Sequence, residues 1–336
     1  MQESPIGPIS DPFSRSSSAP LVPAPSRAPS PVLLMTSPAS PFHGLSAFPI
    51  TPSDTQGRVD TAALEILLTR LVAAGVDSIG LLGSTGTYAY LSRTERRRAV
   101  EAASALVAKR IPLVVGIGAL RTDEAVDLAR DAAEAGADGL LLAPVSYTPL
   151  TEDEVFAHFA AVAAATDLSL CIYNNPGTTH FTFTPALIGR LAGLPNVVAL
   201  KNPAAAPVDA PTLHANLRAA VPEAFAIGYS ADWNVTEAIL AGGQAWYSVC
   251  GGLLPEPTQK LMRAAQAHDI AQVGMWKARF EPLWALFREL TSLRVIYAAA
   301  DILGLSTALP PRPILPLAPT HHPRIAAALE PLLQPA

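Results

Sequence analysis

Three short segments carry residue types that could do chemistry together. Lys201 closes the apolar run Val197-Val198-Ala199-Leu200, and it is one of only four lysines, with Lys109, Lys260 and Lys277, among 23 basic residues. The other three fall in helical patterns: Lys109 in a last turn, Lys260 and Lys277 on faces beside polar residues. An amine at the end of a buried strand has lost water, which favours its neutral, nucleophilic form. The same place also suits a lysine that reaches out to solvent or pairs with an acid. Tyr173-Asn174-Asn175-Pro176 ends another apolar run 28 residues earlier. That interval is one strand–helix unit, so the two side chains leave adjacent strands at the same end. A phenol beside a neutral amine can carry protons to and from a carbinolamine and a substrate carbon; a tyrosine at a strand end can equally be half-buried packing. The third segment is Gly83-Ser84-Thr85-Gly86-Thr87-Tyr88. Small hydroxyl residues between glycines expose backbone N–H groups and two hydroxyls, a cradle for a carboxylate or phosphate, or else they merely reverse the chain. No Gly-Lys-Ser/Thr follows, so it is not a P-loop.

Other positions are more ambiguous. His180, in Thr178-Thr179-His180, could supply an acid, a base or a substrate contact. Asp232-Trp233 follows Tyr229-Ser230 and could touch a hydroxylated substrate, but Asp232 better suits a helix N-cap. Tyr247 points either into the sheet's interior or toward helices, and its pattern does not distinguish them. Cys171 and Cys250 both lie in apolar runs and read as buried free thiols suited to a reducing compartment. Neither has the spacing of a zinc site.

The elements that position these residues are legible from residue 43 onward. Short apolar runs (45–48, 78–82, 112–116, 139–143, 168–173, 197–201, 225–228 and 245–250) alternate with longer helical patterns such as 94–110 and 122–135. The runs are nearly continuous Val, Ile, Leu and Ala, as parallel strands buried on both faces require. A weak repeat, AAGVDSIGLL at 73, EAGADGLLLA at 134 and LAGGQAWYSV at 240, marks helix ends that turn through Gly into strands. The expected fold is α/β, a TIM (β/α)8 barrel over residues 43–252, with a doubly wound open sheet as the alternative. Helical patterns at 256–268, 270–290, 292–303 and 322–333 predict a C-terminal helical appendage over residues 253–336. Residues 1–42 hold ten prolines and ten serines without apolar periodicity and are expected to be disordered, with Met35 as an alternative start. The chain has 336 residues, 50% hydrophobic but only 15% charged, with a net charge of -5. Every apolar run is broken by charge, Gly or Pro within about 10 residues, short of the roughly 20 a membrane helix needs. Scattered, mildly acidic charge argues against nucleic acid as a partner.

The Gly-Ser-Thr-Gly turn after the second run, the Tyr-Asn-Asn-Pro turn and the lysine closing the sixth together resemble the dihydrodipicolinate synthase and N-acetylneuraminate lyase family. Flanking residues fit as well: Thr51-Pro52, Gly57-Arg58-Val59-Asp60, and Leu91-Ser92 before Thr94-Glu95-Arg96. The likeness spans roughly residues 43 to 305. It implies a lyase of the class I aldolase type acting on a 2-keto acid, pyruvate with an aldehyde, through a Schiff base on Lys201. Tyr173 would shuttle protons, and Ser84 and Thr85 would bind the keto acid's carboxylate. No metal or diffusible cofactor is implied; a homotetramer is, and the buried thiols suit a cytoplasmic location. Dehydration of a 2-keto-3-deoxy sugar acid with the same lysine is an alternative, and so is a non-catalytic ligand-binding barrel. The departures concern the second substrate. Thr87 stands where relatives with Gly-Thr-Thr-Gly-Glu carry Glu, and Ser146 and Tyr147 stand near the Tyr-Tyr pair of the lysine-biosynthesis branch. Thr178 takes the place of an arginine that in that branch meets a carboxylate on the aldehyde. A hydroxyl does not replace a guanidinium's charge-assisted pairing, so an aldehyde other than aspartate semialdehyde is expected, with 4-hydroxy-tetrahydrodipicolinate synthase as the alternative. Ser146, Tyr147, Thr178, His180 and Tyr247 are the candidate contacts to it.

Overall fold

The apolar runs form eight short parallel strands in a computed structural model that describes residues 40–334. They are β1 (Gly44–Ala47), β2 (Ser78–Leu81), β3 (Leu113–Gly116), β4 (Gly139–Leu142), β5 (Ser169–Tyr173), β6 (Val197–Pro203), β7 (Ala226–Ser230) and β8 (Ala245–Ser248). Each pairs with its neighbours in chain order, and β8 pairs with β1. The sheet is therefore a closed TIM barrel, and the open doubly wound alternative fails because β1 has a strand on both sides.

Strand alternation splits the apolar residues between two cores. Outward side chains such as Leu45, Ile79, Leu140, Ile172 and Leu200 pack against the surrounding helices. Inward positions are mostly small, among them Gly80, Ala199, Ala226, Gly228 and Ala245, and the space they leave is taken by rings. A Cβ on Gly80 would lie 2.2 Å from Phe48, and one on Gly228 would lie 2.4 Å from Tyr247. Most barrels of this kind fill their interior with layers of branched aliphatics; here Val114 and Leu141 share it with the rings of Phe48, Tyr173 and Tyr247.

The disorder expected for residues 1–42 concerns, up to residue 39, positions outside the described residues. Phe42 departs from it. Its side chain is fully buried at the start of β4, where glycine at 139 leaves room for the ring.

Caps set the helix limits. Asp60 accepts a hydrogen bond from Ala63 N ahead of the helix Thr61–Ala74, which ends at left-handed Gly75. Thr151 and Glu154 form a reciprocal capping box at the helix Glu152–Ala163. Each such cap contributes about 1 kcal/mol. The helix expected at 94–110 runs Arg93–Val107 instead, because Ala108 and Lys109 are both left-handed (φ 47° and 61°). Lys109 thus lies beyond the last turn and donates to Gly136 O and Asp138.

After β8 come helices Pro255–Gln266, Ile270–Leu290, Ser292–Ile302 and His322–Leu333. The second and third meet at the single residue Thr291, whose φ of 69° makes a sharp joint. That joint brings residues 291–293 to the C-terminal mouth of the barrel. Among the described residues no helix is long and apolar enough to cross a membrane.

Candidate active site

β5 and β6 pair with Tyr173 directly opposite Lys201, so the adjacency inferred from their spacing is a register pair. Both side chains point into the barrel and are buried, Lys201 at 5% exposure. Lys201 Nζ lies among three rings, with centroids at 3.7 Å for Phe48, 4.2 Å for Tyr173 and 5.7 Å for Tyr247. Asparagines clamp the two strand ends: Asn174 N donates to Lys201 O, and Asn174 Nδ2 to Asn202 Oδ1 at 2.7 Å.

The turn after β2 comes to meet them. Leu82 and Thr87 are both left-handed, and Thr87 N donates to Ser84 O, closing the turn. The two glycines are sterically required. A Cβ on Gly83 would strike the Phe48 ring at 2.5 Å, and one on Gly86 would come within 2.9 Å of Thr51 Oγ1. Ser84 Oγ then lies 3.1 Å from Tyr173 OH. Asn175 Nδ2 donates to both, at 3.3 Å to the serine and 3.0 Å to the phenol. A chain of three polar groups so runs from the turn to the ring beside the amine.

These groups border a cavity of about 500 Å³ at the C-terminal end of the barrel. One wall is Ser84, Thr85, Tyr88, Tyr173, Asn175, Thr178 and Lys201. The rest of the lining comes from Ser230, Trp233 and Val249 together with Phe287, Leu293 and Ile314 of the appendage. Burial pushes the phenols of Tyr88 and Tyr247 above the ordinary range and the Cys171 thiol up to about 12. All three are neutral at physiological pH.

The structure places the expected residues unequally. Ser84, Thr85, Tyr173, Thr178, Lys201 and Tyr247 reach the cavity; Tyr247 turns inward, 3.6 Å from Cys171 Sγ. Ser146, Tyr147 and His180 do not line it. Pairing on β4 stops at Leu142, and the loop beyond carries the Tyr147 ring out to 98% exposure. Ser146 Oγ turns back onto Thr148 O. His180 caps the one-turn helix Pro176–Thr179 with a left-handed backbone (φ 55°) and stays exposed. Asp232 is no helix N-cap either. It is fully buried and accepts from Trp246 Nε1 at 2.8 Å, Ser248 Oγ at 3.2 Å and Cys250 N at 2.7 Å, lacing β7 to β8. Burial pushes its carboxyl up, against the pull of those bonds.

Four contributors escaped the reading of the sequence: Phe48, Asn175, Tyr88 and Arg96. Arg96 is buried, donates to Gly116 O and Gly118 O at the end of β3, and lies 5.2 Å from the Tyr88 ring. Burial lowers it to about 10. A signal for it existed, since Arg96 shares the inward stripe of Ala99, Val100, Ala103 and Val107 on its helix.

Comparison with known proteins places this geometry. The family model described as "Dihydrodipicolinate synthetase family" matches residues 41–332. The 4-hydroxy-tetrahydrodipicolinate synthase of Acidiphilium cryptum is 33% identical over 289 residues, covering 86% of this chain and 97% of its own. The crystal structure of dihydrodipicolinate synthase from Agrobacterium tumefaciens is 59% identical, covers 88% of this chain and all of that one, and superimposes with a TM-score of 0.86. Dihydrodipicolinate synthase from Aquifex aeolicus is 27% identical with a TM-score of 0.80, covering 86% and 97% of the two chains. With a family model spanning the barrel and its appendage, and the lysine, tyrosine and hydroxyl turn meeting at one cavity, the chain belongs to the dihydrodipicolinate synthetase family.

Proposed function

We propose that this lyase makes or breaks a carbon–carbon bond between pyruvate and an aldehyde through a Schiff base on Lys201. The observation that carries the reading is the meeting of Lys201 with the Ser84–Tyr173–Asn175 chain at the floor of one cavity.

In the forward direction Lys201 Nζ attacks the keto carbon and forms a C–N bond. The keto oxygen takes up protons by way of the Tyr173 hydroxyl and leaves as water, giving a protonated imine. Loss of a proton from the methyl carbon gives an enamine. That carbon attacks the aldehyde carbon, whose oxygen accepts a proton, and hydrolysis of the imine frees Lys201. Cleavage is the same sequence reversed. Ser84, Thr85 and the N–H groups of their turn hold the carboxylate, and Ser84, bonded to the phenol, passes protons onward. Thr178 faces the aldehyde side and offers a hydroxyl rather than a charge, which favours an aldehyde with no carboxylate at that point. Formation of 4-hydroxy-tetrahydrodipicolinate, taken from the names of the relatives, is the second reading.

Incubation with pyruvate and borohydride, followed by peptide mass spectrometry, tests the proposal: a reduced adduct on Lys201 is expected, and its absence overturns every imine route. We further propose, on the family resemblance, a homotetramer working in the cytoplasm on small molecules. Light scattering on the purified protein tests the assembly.

A further inference from the structure

We propose that Phe48 is a positioning residue for the reacting amine, its ring face carrying the nitrogen's positive charge through the cycle where a carboxylate would otherwise stand. The proposal rests on the reading of Lys201 as the imine-forming lysine. Phe48 follows β1, turns into the barrel and is 2% exposed. Its ring centroid is 3.7 Å from Nζ, the nearest of the three rings. Phe48 does not line the cavity, so it backs the amine from the barrel interior and leaves the other side open to substrate.

The ring is held in place by what surrounds it. Side chains are absent at Gly80 and Gly83, where a Cβ would come within 2.2 and 2.5 Å of ring atoms. Tyr247 meets the ring edge-on at 6.0 Å and 80°. Two glycines and an orthogonal phenol thus fix a π face against one nitrogen. The face of an aromatic ring is its negative side and attracts a cation, more strongly where water is excluded. Among the described residues, no acidic side chain lies within 4.0 Å of Nζ, whereas Lys109 and Lys277 each have an acidic partner. The titratable groups around the amine are the Tyr173 phenol and Cys171 thiol of β5 and the Tyr247 phenol of β8. Tyr88 and Asp232 border the same cavity, and the Asp232 carboxylate is already bonded to Trp246, Ser248 and Cys250.

Lys201 is a cation as ammonium and again as protonated imine, but not as free amine or enamine. Imine formation from the ammonium exchanges one cation for another, so the ring's attraction largely cancels. Formation from the neutral amine gains all of it. The ring's contribution to imine stability must therefore grow as pH rises, a behaviour that packing alone does not produce.

Site-specific incorporation of mono-, di- and trifluorophenylalanine at position 48 weakens the π face in steps at nearly constant shape. Pyruvate affinity is then read from borohydride trapping on Lys201 across pH. We expect affinity to fall stepwise, by about tenfold from Phe to the trifluoro ring in alkaline buffer, and by less in acid. Phe48→Leu, which keeps apolar bulk without a π face, should match the trifluoro protein. Equal affinity across the fluorinated series at every pH, with Phe48→Leu impaired, overturns the proposal and leaves only packing. If the wild-type protein forms no pyruvate adduct, the imine reading fails separately. The ring series is then read from acylation of Lys201 by acetic anhydride, which needs the neutral amine and leaves no cation, and which is expected to quicken as fluorine is added; a flat series overturns the proposal there too.

Discussion

The two walls of the cavity are built differently. On the β2, β5 and β6 side, side-chain hydrogen bonds link the residues: Ser84, Tyr173 and Asn175 bond one another, and Asn174 and Asn202 tie the strand ends together. That wall stands on paired strands, whose register leaves little freedom to the reacting groups. The second wall draws Phe287, Leu293 and Ile314 from the appendage and Ser230 and Trp233 from the β7 loop. It is apolar with scattered hydroxyls, and part of it hangs from the single left-handed joint at Thr291. Rigid, hydrogen-bonded geometry suits the chemistry common to all substrates, while an apolar, loop-borne surface suits the choice of one aldehyde over another. The first wall should therefore control turnover, and the second substrate preference.

The largest effect should come from the first wall. Lys201→Ala removes the nucleophile, and kcat should fall by about 10⁴-fold or more with no borohydride-trapped adduct. A variant that kept full activity would refute the assignment. Tyr173→Phe keeps the ring beside Nζ but removes the hydroxyl; kcat should fall by about 10²- to 10³-fold while pyruvate can still be trapped. If turnover were unchanged, the proton route would have to lie elsewhere.

Thr178→Arg crosses from one wall's logic to the other's. Stopped assays with aspartate semialdehyde should show KM lower by about tenfold, with kcat for the native aldehyde little altered, since a guanidinium adds a charge-assisted pair. No change in KM would break the idea that this position selects the aldehyde. The smallest effect is structural. Asp232→Asn places an amide donor against the Ser248 hydroxyl or Cys250 N–H, and urea titration should show a loss of about 1–3 kcal/mol at neutral pH. The pH dependence carries a sign. Because burial raises the folded carboxyl above its unfolded value, its contribution is fully present below the unfolded value and is lost as pH rises through the folded one. The wild-type stability curve should slope downward there, and the Asn variant should be flatter.

Much of the first wall was legible without a structure. Lysine is scarce, so the one at the end of a strand stands out, and a one-unit spacing sets Tyr173 beside it. The hydroxyl turn is marked by its glycines. Phe48 was hidden because its run reads as a strand throughout, and nothing in the four residues Leu45 to Phe48 tells which face looks inward. Asn175 was passed over because its role is an amide bridge between residues far apart in the chain. Ser146, Tyr147 and His180 sit at suggestive places in the sequence yet do not line the cavity, because the path of a loop is not a periodic property.

The sequence by itself determined the alternation of strand and helix, the closed barrel and the residues at the ends of its strands. These follow from local patterns, because side-chain periodicity and capping act over a few residues. Tertiary structure alone decided which ring backs the amine, which hydroxyls converge and which helix supplies the far wall. Those are distances between segments tens to hundreds of residues apart, set by the packing of rings into the gaps left at Gly80, Gly83 and Gly228.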